Sequence, residues 1–235
     1  MLSTGLLRLT EIRSACADRH TMTGRARTLA CVLWVALLGC SLALSVLAAA
    51  NDTLPGDTRI AQWLQKSPLP GQDLSDAVRA MTATEVVLAM GGAISLILWL
   101  GGYRREAILF ASGLVVLSIV QFGVKELIDR PRPDGSIVDI RAGYSSPGFP
   151  SGHMMSGTYL CGFLIYFALA LPLGGIVSGV LAAASAVIIV LGGVVNVWLG
   201  VHWPSDVVGG GLWAALVLLP LILLDCHRAH LAQIA

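Results

Sequence analysis

The sequence of 235 residues predicts an all-α integral membrane protein, a bundle of six transmembrane helices forming one domain. Three observations predict it. The chain is 56% hydrophobic and only 12% charged, whereas a soluble domain carries about 25% charged residues. Its apolar residues gather in six runs, each close to the roughly 17–25 residues that a helix needs to cross a bilayer. The runs are continuously apolar rather than alternating. Backbone groups in lipid must pair within the protein, so this pattern selects helices over a closed barrel.

The six runs cover residues 29–50, 86–102, 107–127, 154–173, 176–199 and 206–224. They divide the chain into an N-terminal tail (1–28), a membrane domain (29–225) and a short C-terminal tail (226–235). The first run admits a second reading. "RARTLACVLWVALLGCSLALSVLAAAND" has the basic start, apolar core and Ala-Ala-Ala ending of a signal peptide, but its apolar run is longer than a usual signal core, which favours a retained helix. Met22 is an alternative start. The second run is short, with a start open toward Thr82.

Two polar connections, from Asn51 to about Thr84 and from Glu126 to His153, fall on one side if the helices alternate. In the first, "DTRIAQWLQKS" places Ile60, Trp63 and Leu64 on one helical face, which suits a short interfacial helix or an ordinary loop helix. Gly91–Gly92, Gly192–Gly193 and Gly209–Gly211 interrupt the runs and read as sites of close helix approach. Arg25, Arg27, Arg104, Arg105 and Arg228 flank helices on the other side. The positive-inside rule then predicts cytoplasmic termini in a plasma (inner) membrane, with the long connections at its outer face.

Composition also excludes classes. A formal net charge of +1 supplies no basic patch for nucleic acid. The five cysteines (Cys16, Cys31, Cys40, Cys161, Cys226) lie in the tail or in and beside apolar spans, so no disulfide framework is implied.

Three polar clusters carry the chemistry. "KELIDRPRP", Lys125 to Pro133, leaves the third run with Lys125, Arg130 and Arg132 in succession, stiffened by two prolines. "GFPSGH" opens the fourth run. There Ser151 is an N-cap, Gly152 allows close backbone approach, and the free amides of a helix start make an anion site. His153 follows, and capping alone does not explain it. "NVWLGVHWPSDVVGG" places His202 and Asp206 at i, i+4, with Pro204 fitting the first helical position. Asp206 can fix the imidazole tautomer and leave the other nitrogen free. With alternating helices all three clusters meet at one membrane surface, as a phosphate cradle beside an acid and a nucleophile. No carboxylate-rich or multi-His set suggests a metal site. Phosphoryl transfer without metal or other cofactor is the economical reading.

These residues resemble the type 2 phosphatidic acid phosphatase (PAP2) superfamily of membrane lipid phosphatases. Lys125 to Arg132–Pro133 matches its Lys-x6-Arg-Pro motif, Pro150-Ser151-Gly152-His153 its Pro-Ser-Gly-His motif, and His202 and Asp206 the end of its Ser-Arg-x5-His-x3-Asp motif. The resemblance spans about residues 25–225. It implies that His202 is the nucleophile, forming a phosphohistidine, with Asp206 holding its ring. His153 would protonate the leaving oxygen and then activate water. Lys125, Arg132, Ser151 and the Gly152 amide would hold the phosphate. The implied substrate is a lipid phosphate such as undecaprenyl diphosphate, phosphatidic acid or phosphatidylglycerol phosphate, reached from the bilayer. Soluble vanadium-dependent haloperoxidases share related motifs, but the apolar spans argue against that reading.

One departure stands out. Where the family's third motif begins Ser-Arg, this chain has Val195–Asn196. Asn196 donates a neutral hydrogen bond but brings no charge. Either Asn196 still faces the phosphate or a neighbouring backbone, or Arg141 or Arg130 supplies the missing charge, Arg141 being the favoured substitute. Two further readings use the same residues: a weakened relative that binds a lipid phosphate or a partner, and a phosphotransferase with an acceptor other than water.

Overall fold

A computed structural model describes the backbone of residues 24–171 and 173–234, and side chains over 28–171 and 173–224. Met22 and the rest of residues 1–23 lie outside the described residues, as do the side chains of Arg25, Arg27 and Arg228. Among the described residues there are eight helices and no strands: α1 (Gly24–Ala50), α2 (Asp57–Gln65), α3 (Gln72–Thr82), α4 (Thr84–Leu100), α5 (Arg104–Ile128), α6 (Gly152–Ala170), α7 (Gly175–Trp198) and α8 (Pro204–Ile234). Five of them (α1, α5, α6, α7, α8) are long and apolar enough to cross a membrane. The pair α3–α4, bent by 54° at Ala83, is long and apolar enough only when taken together, as a broken sixth span or a re-entrant segment. The protein is thus a multi-pass, all-helical membrane protein.

Two boundaries differ from expectation. The polar connection expected up to Thr84 contains α3, which leads directly into α4. At the other end, α8 continues to Ile234, so the segment expected as a tail is helical backbone. By contrast, "DTRIAQWLQKS" forms the helix its pattern predicts, α2, with Ile60 and Trp63 exposed.

The centre of the bundle is α6. Half of its span is buried, against 11% for α1, and it is the least apolar of the five long spans. Lipid explains this pairing: helices that face hydrocarbon must be apolar all round, whereas an enclosed helix can carry Ser, Thr and Tyr if these find partners. Tyr159 donates to the Phe110 carbonyl of α5 at 2.8 Å, and its ring stacks on Phe110. Phe163 and Phe167 extend the cluster, with Leu114 and Leu117 from α5, Val87 and Leu98 from α4 and Ala214 from α8. Meanwhile α1 lies along α8, where Trp34 donates to the Leu216 carbonyl and Trp213 to Ser45 Oγ. Large apolar side chains such as Leu29, Ile119, Val180 and Val190 stay exposed on the outer faces, as lipid contact requires.

One end of the bundle gathers the chain reversals that matter: α1 to α2, α5 to α6, and α7 to α8. Here α2 acts as a clamp. Gln65 Nε2 donates to the carbonyls of Asp139 (2.7 Å) and Trp198 (2.9 Å), tying the 129–151 connection to the end of α7. At Gly200, φ is +68° and an added Cβ would stand 2.2 Å from the Asp139 carbonyl oxygen, so the turn into α8 needs glycine.

Candidate active site

The three sequence clusters meet at that end, each delivered by a helix terminus. Helix α5 stops when Asp129 takes a left-handed conformation (φ 44°). Lys125 lies in its last turn, and Pro131 and Pro133 keep the following chain extended. Ser151 caps α6, its Oγ accepting from Met154 N, and its own amide donates to the Asp206 carbonyl at 3.0 Å. Helix α8 begins at Pro204, the position expected from sequence, which sets Asp206 in its first turn. Close approach of α8 to the α6 start relies on Gly209 and Gly210. Added Cβ atoms there would meet the Phe149 ring at 2.3 Å and the Ser151 carbonyl oxygen at 2.7 Å.

A buried ionic network fixes Asp206. Arg130 Nη1 donates to Asp206 Oδ1 at 2.5 Å and to Ser205 Oγ at 2.8 Å, while its Nη2 reaches Asp57 Oδ2 at 3.0 Å. Arg130 Nε donates to the Asn51 carbonyl, and Asp57 also accepts from the Ser205 amide and hydroxyl. All four side chains are buried. With Oδ1 so occupied, Asp206 Oδ2 accepts from Trp203 N at 2.9 Å and stands 3.5 Å from His202 Nδ1. The latter contact is longer than a made hydrogen bond, and Nδ1 has no other partner.

His202 Nε2 lies 3.2 Å from Arg132 Nη1. A guanidinium has donors only, so Nε2 must accept, and the ring proton then sits on Nδ1, facing Asp206. Burial pushes the His202 pKa down to about 4, against the pull of Asp206 and with the push of Arg132 and Lys125. The ring is therefore neutral at neutral pH, its lone pair turned toward a cation.

The cations form a cradle. Arg132 donates to the Ser146 carbonyl (2.7 Å) and the Val201 carbonyl (2.7 Å), and lies 4.8 Å from the Tyr144 ring centroid. Lys125 Nζ donates to the Pro147 carbonyl at 2.6 Å. Burial holds the Arg132 guanidinium down at about 10, opposed by Asp206. His153 occupies the first turn of α6, partly exposed, within electrostatic reach of His202, Arg132 and Lys125. Gly152 packs against Gln121 of α5, whose Oε1 is buried without a partner.

The three accessory candidates are placed differently. Asn196 is fully buried; its Nδ2 donates to the Gly192 carbonyl of its own helix at 2.7 Å, and its Oδ1 has no hydrogen-bond partner. Arg130 is committed to Asp57 and Asp206 and cannot serve as the missing cation. Arg141, the favoured substitute, lies 4.1 Å from the Trp198 ring centroid and donates to Asp139 and the Gln65 carbonyl; it is a brace of the connection, not of the cradle. Sequence reasoning missed Asp57, Ser205 and Gln121. Asp57 and Ser205 act only through the fold. Gln121, one turn before Lys125 on the same face, was open to helical spacing.

The PAP2 superfamily model matches residues 106–228, more than half of the chain and all three clusters. The chain belongs to the PAP2 superfamily. Phosphatidylglycerophosphatase B of Bacillus subtilis (strain 168) is 36% identical over 88 residues, 37% of this chain. The match spans only 42% of that relative's length. The crystal structure of a transmembrane PAP2 type phosphatidylglycerolphosphate phosphatase from Bacillus subtilis superposes with a TM-score of 0.64 at 24% identity. It covers 82% of this chain and 95% of that one, a likeness of fold. The PAP2 match begins at Glu106, so α1 to α4, with Asp57 and Arg79, lie outside it.

Proposed function

We propose that the protein is a lipid phosphatase or pyrophosphatase that hydrolyses an isoprenoid or glycerolipid phosphate at the outer membrane surface through a phosphohistidine, without metal. The observation that carries this reading is the buried His202 ring, with Nδ1 toward Asp206 and Nε2 beside Arg132. Its lone pair attacks phosphorus while Lys125, Arg132, the Ser151 hydroxyl and the Gly152 amide hold the phosphate oxygens. The bond to the lipid oxygen breaks, and protonated His153 gives that oxygen its proton. His153 then takes a proton from water, the hydroxide attacks the phosphohistidine, and phosphate leaves with His202 restored. Preorganised donors around the developing charge are the largest expected source of rate. A site at the bundle end, where apolar helix faces meet polar connections, lets the lipid tail stay in the bilayer while the headgroup enters.

The decisive assay is phosphate release by purified protein in detergent with EDTA, on undecaprenyl diphosphate, phosphatidic acid and phosphatidylglycerol phosphate. Wild type releases phosphate from at least one, and His202→Ala from none. Equal release by a folded His202→Ala on every substrate sinks the proposal. A weakened, lipid-binding relative is the second reading, and Asn196 is the observation that favours it.

A further inference from the structure

We propose that Arg79 of α3 is a phosphate-binding residue of this site, supplying the cation that position 196 lacks. The assignment rests on the phosphatase reading above for what the bound anion is.

The position of α3 comes first. Val78 packs with Val195, Trp198, Leu199 and Val201, the segment that runs from α7 to His202. Thr82 lies against Gly157 of α6, where an added Cβ would meet its methyl at 2.8 Å. The helix therefore bridges the His202 turn and the first turns of α6, with Arg79 between these two anchor points. Its Nη2 donates to the Gly143 carbonyl at 2.7 Å. The next residue, Tyr144, carries the Arg132 guanidinium over its ring, so two guanidinium groups are held by adjacent residues of one loop. Arg79 acts electrostatically on both Arg132 and His153.

The second observation is an orphan donor. Arg79 Nη1 is buried with no hydrogen-bond partner. A buried, unmatched donor on a charged group is costly, so an acceptor belongs there. Asp76, the carboxylate that acts on Arg79, is one turn back on the same helix and exposed, where it accepts from Gln72. At the site itself, Arg130 and Asp57 cancel, Lys125 and Arg132 exceed the Asp206 carboxylate by one charge, and Arg79, whose neighbour Asp76 is engaged with Gln72 at the surface, adds a second. Two positive charges are left over, the complement of a phosphomonoester of about −2. Asn196, which donates to its own helix, brings no charge to the site. A cation from α3 in place of one from α7 meets the same need from another side.

Arg79→Gln tests the assignment, with Arg79→Lys beside it and Val78→Ala as a packing control. The readouts are affinity for inorganic phosphate, kcat/KM on a lipid phosphate that wild type hydrolyses, and thermal unfolding. Arg79→Gln should bind phosphate at least tenfold more weakly and lose on the order of 10²-fold in kcat/KM. Arg79→Lys should fall between it and wild type. Val78→Ala should unfold at lower temperature with phosphate affinity unchanged. If wild type hydrolyses no lipid phosphate, the phosphatase reading fails, yet the phosphate affinities still decide the role of Arg79. Equal affinity in wild type and Arg79→Gln overturns the proposal, as does absence of affinity in both. If Arg79→Gln does not fold, Arg79→Lys decides: unchanged phosphate affinity and kcat/KM overturn it, and a severalfold loss in both upholds it.

Discussion

His202 and Asp206 owe their geometry to residues that do no chemistry. Arg130 holds one oxygen of Asp206 and leaves the other for the ring, while Asp57 and Ser205 hold Arg130. Removing one member of a buried ionic cluster strands the others, at about 3–5 kcal/mol. Arg130→Met should therefore lower thermal stability in detergent by about that much and abolish turnover. Arg130→Lys should recover little, because an ammonium cannot span Asp206, Ser205, Asp57 and the Asn51 carbonyl at once. Stability within 1 kcal/mol of wild type, taking about that as the limit for an ordinary surface change, would contradict this account. The His202 ring gives a pH prediction. Its folded pKa, about 4, lies below the usual histidine value near 6.5. Between those values the unfolded chain binds the proton and the folded one does not, so stability is full above about 6.5 and falls as pH drops toward 4. In a His153→Asn background, the His202 ring followed by NMR should titrate nearer 4 than 6.5. A midpoint at or above the usual value would mean a solvated ring.

At the scale of elements, helix ends do the positioning, and their spacing depends on small residues at crossings. Gly210 sits where α8 passes the Ser151 carbonyl. Gly210→Ala would force its methyl to within 2.7 Å of that oxygen, so α8 must shift from the α6 start. Overpacking of this kind costs about 1–3 kcal/mol, and because the shift separates Asp206 from Ser151 it should depress kcat more than KM. Gly92, with nothing near its added Cβ, is the control: Gly92→Ala should leave activity unchanged. The five long spans were legible in the sequence because lipid imposes one simple rule on them. Helix α3 was not. Its buried face is Ser75, Val78 and Thr82, and the two hydroxyls are satisfied by carbonyls of their own chain, Gly71 and Val78. Residues that pack as core but read as polar erase the periodicity that would have marked a helix. The cradle residues were legible because each set is contiguous at a helix end. Arg79 and Asp57 were not, since their relation to His202 exists only after α2 and α3 fold over the bundle end.

Over the whole molecule, the polar investment is lopsided. The described site residues all gather at the end formed by the α1–α2, α5–α6 and α7–α8 connections, while the opposite end has the tight 101–103 turn. Arg104 and Arg105 flank that opposite end, and flanking cations are retained on the cytoplasmic side. The cations at the site end do not count equally in this rule, because Lys125 and Arg130 are buried and Arg132 is bonded to the Ser146 and Val201 carbonyls, whereas Arg104 is exposed. The expected orientation therefore places the site outside and the 101–103 turn inside. Single cysteines in an otherwise cysteine-free chain test it. Ser136→Cys, on the exposed part of the long connection, should react with a membrane-impermeant maleimide in intact cells, and Gly102→Cys should react only after the membrane is opened. The reverse pattern would put the phosphate cradle on the cytoplasmic side and require a cytoplasmic pool of lipid phosphate. The substitution at Gly102 carries its own constraint, a φ of +87°, so Tyr103→Cys, one residue on at ordinary φ, should be labelled in the same way.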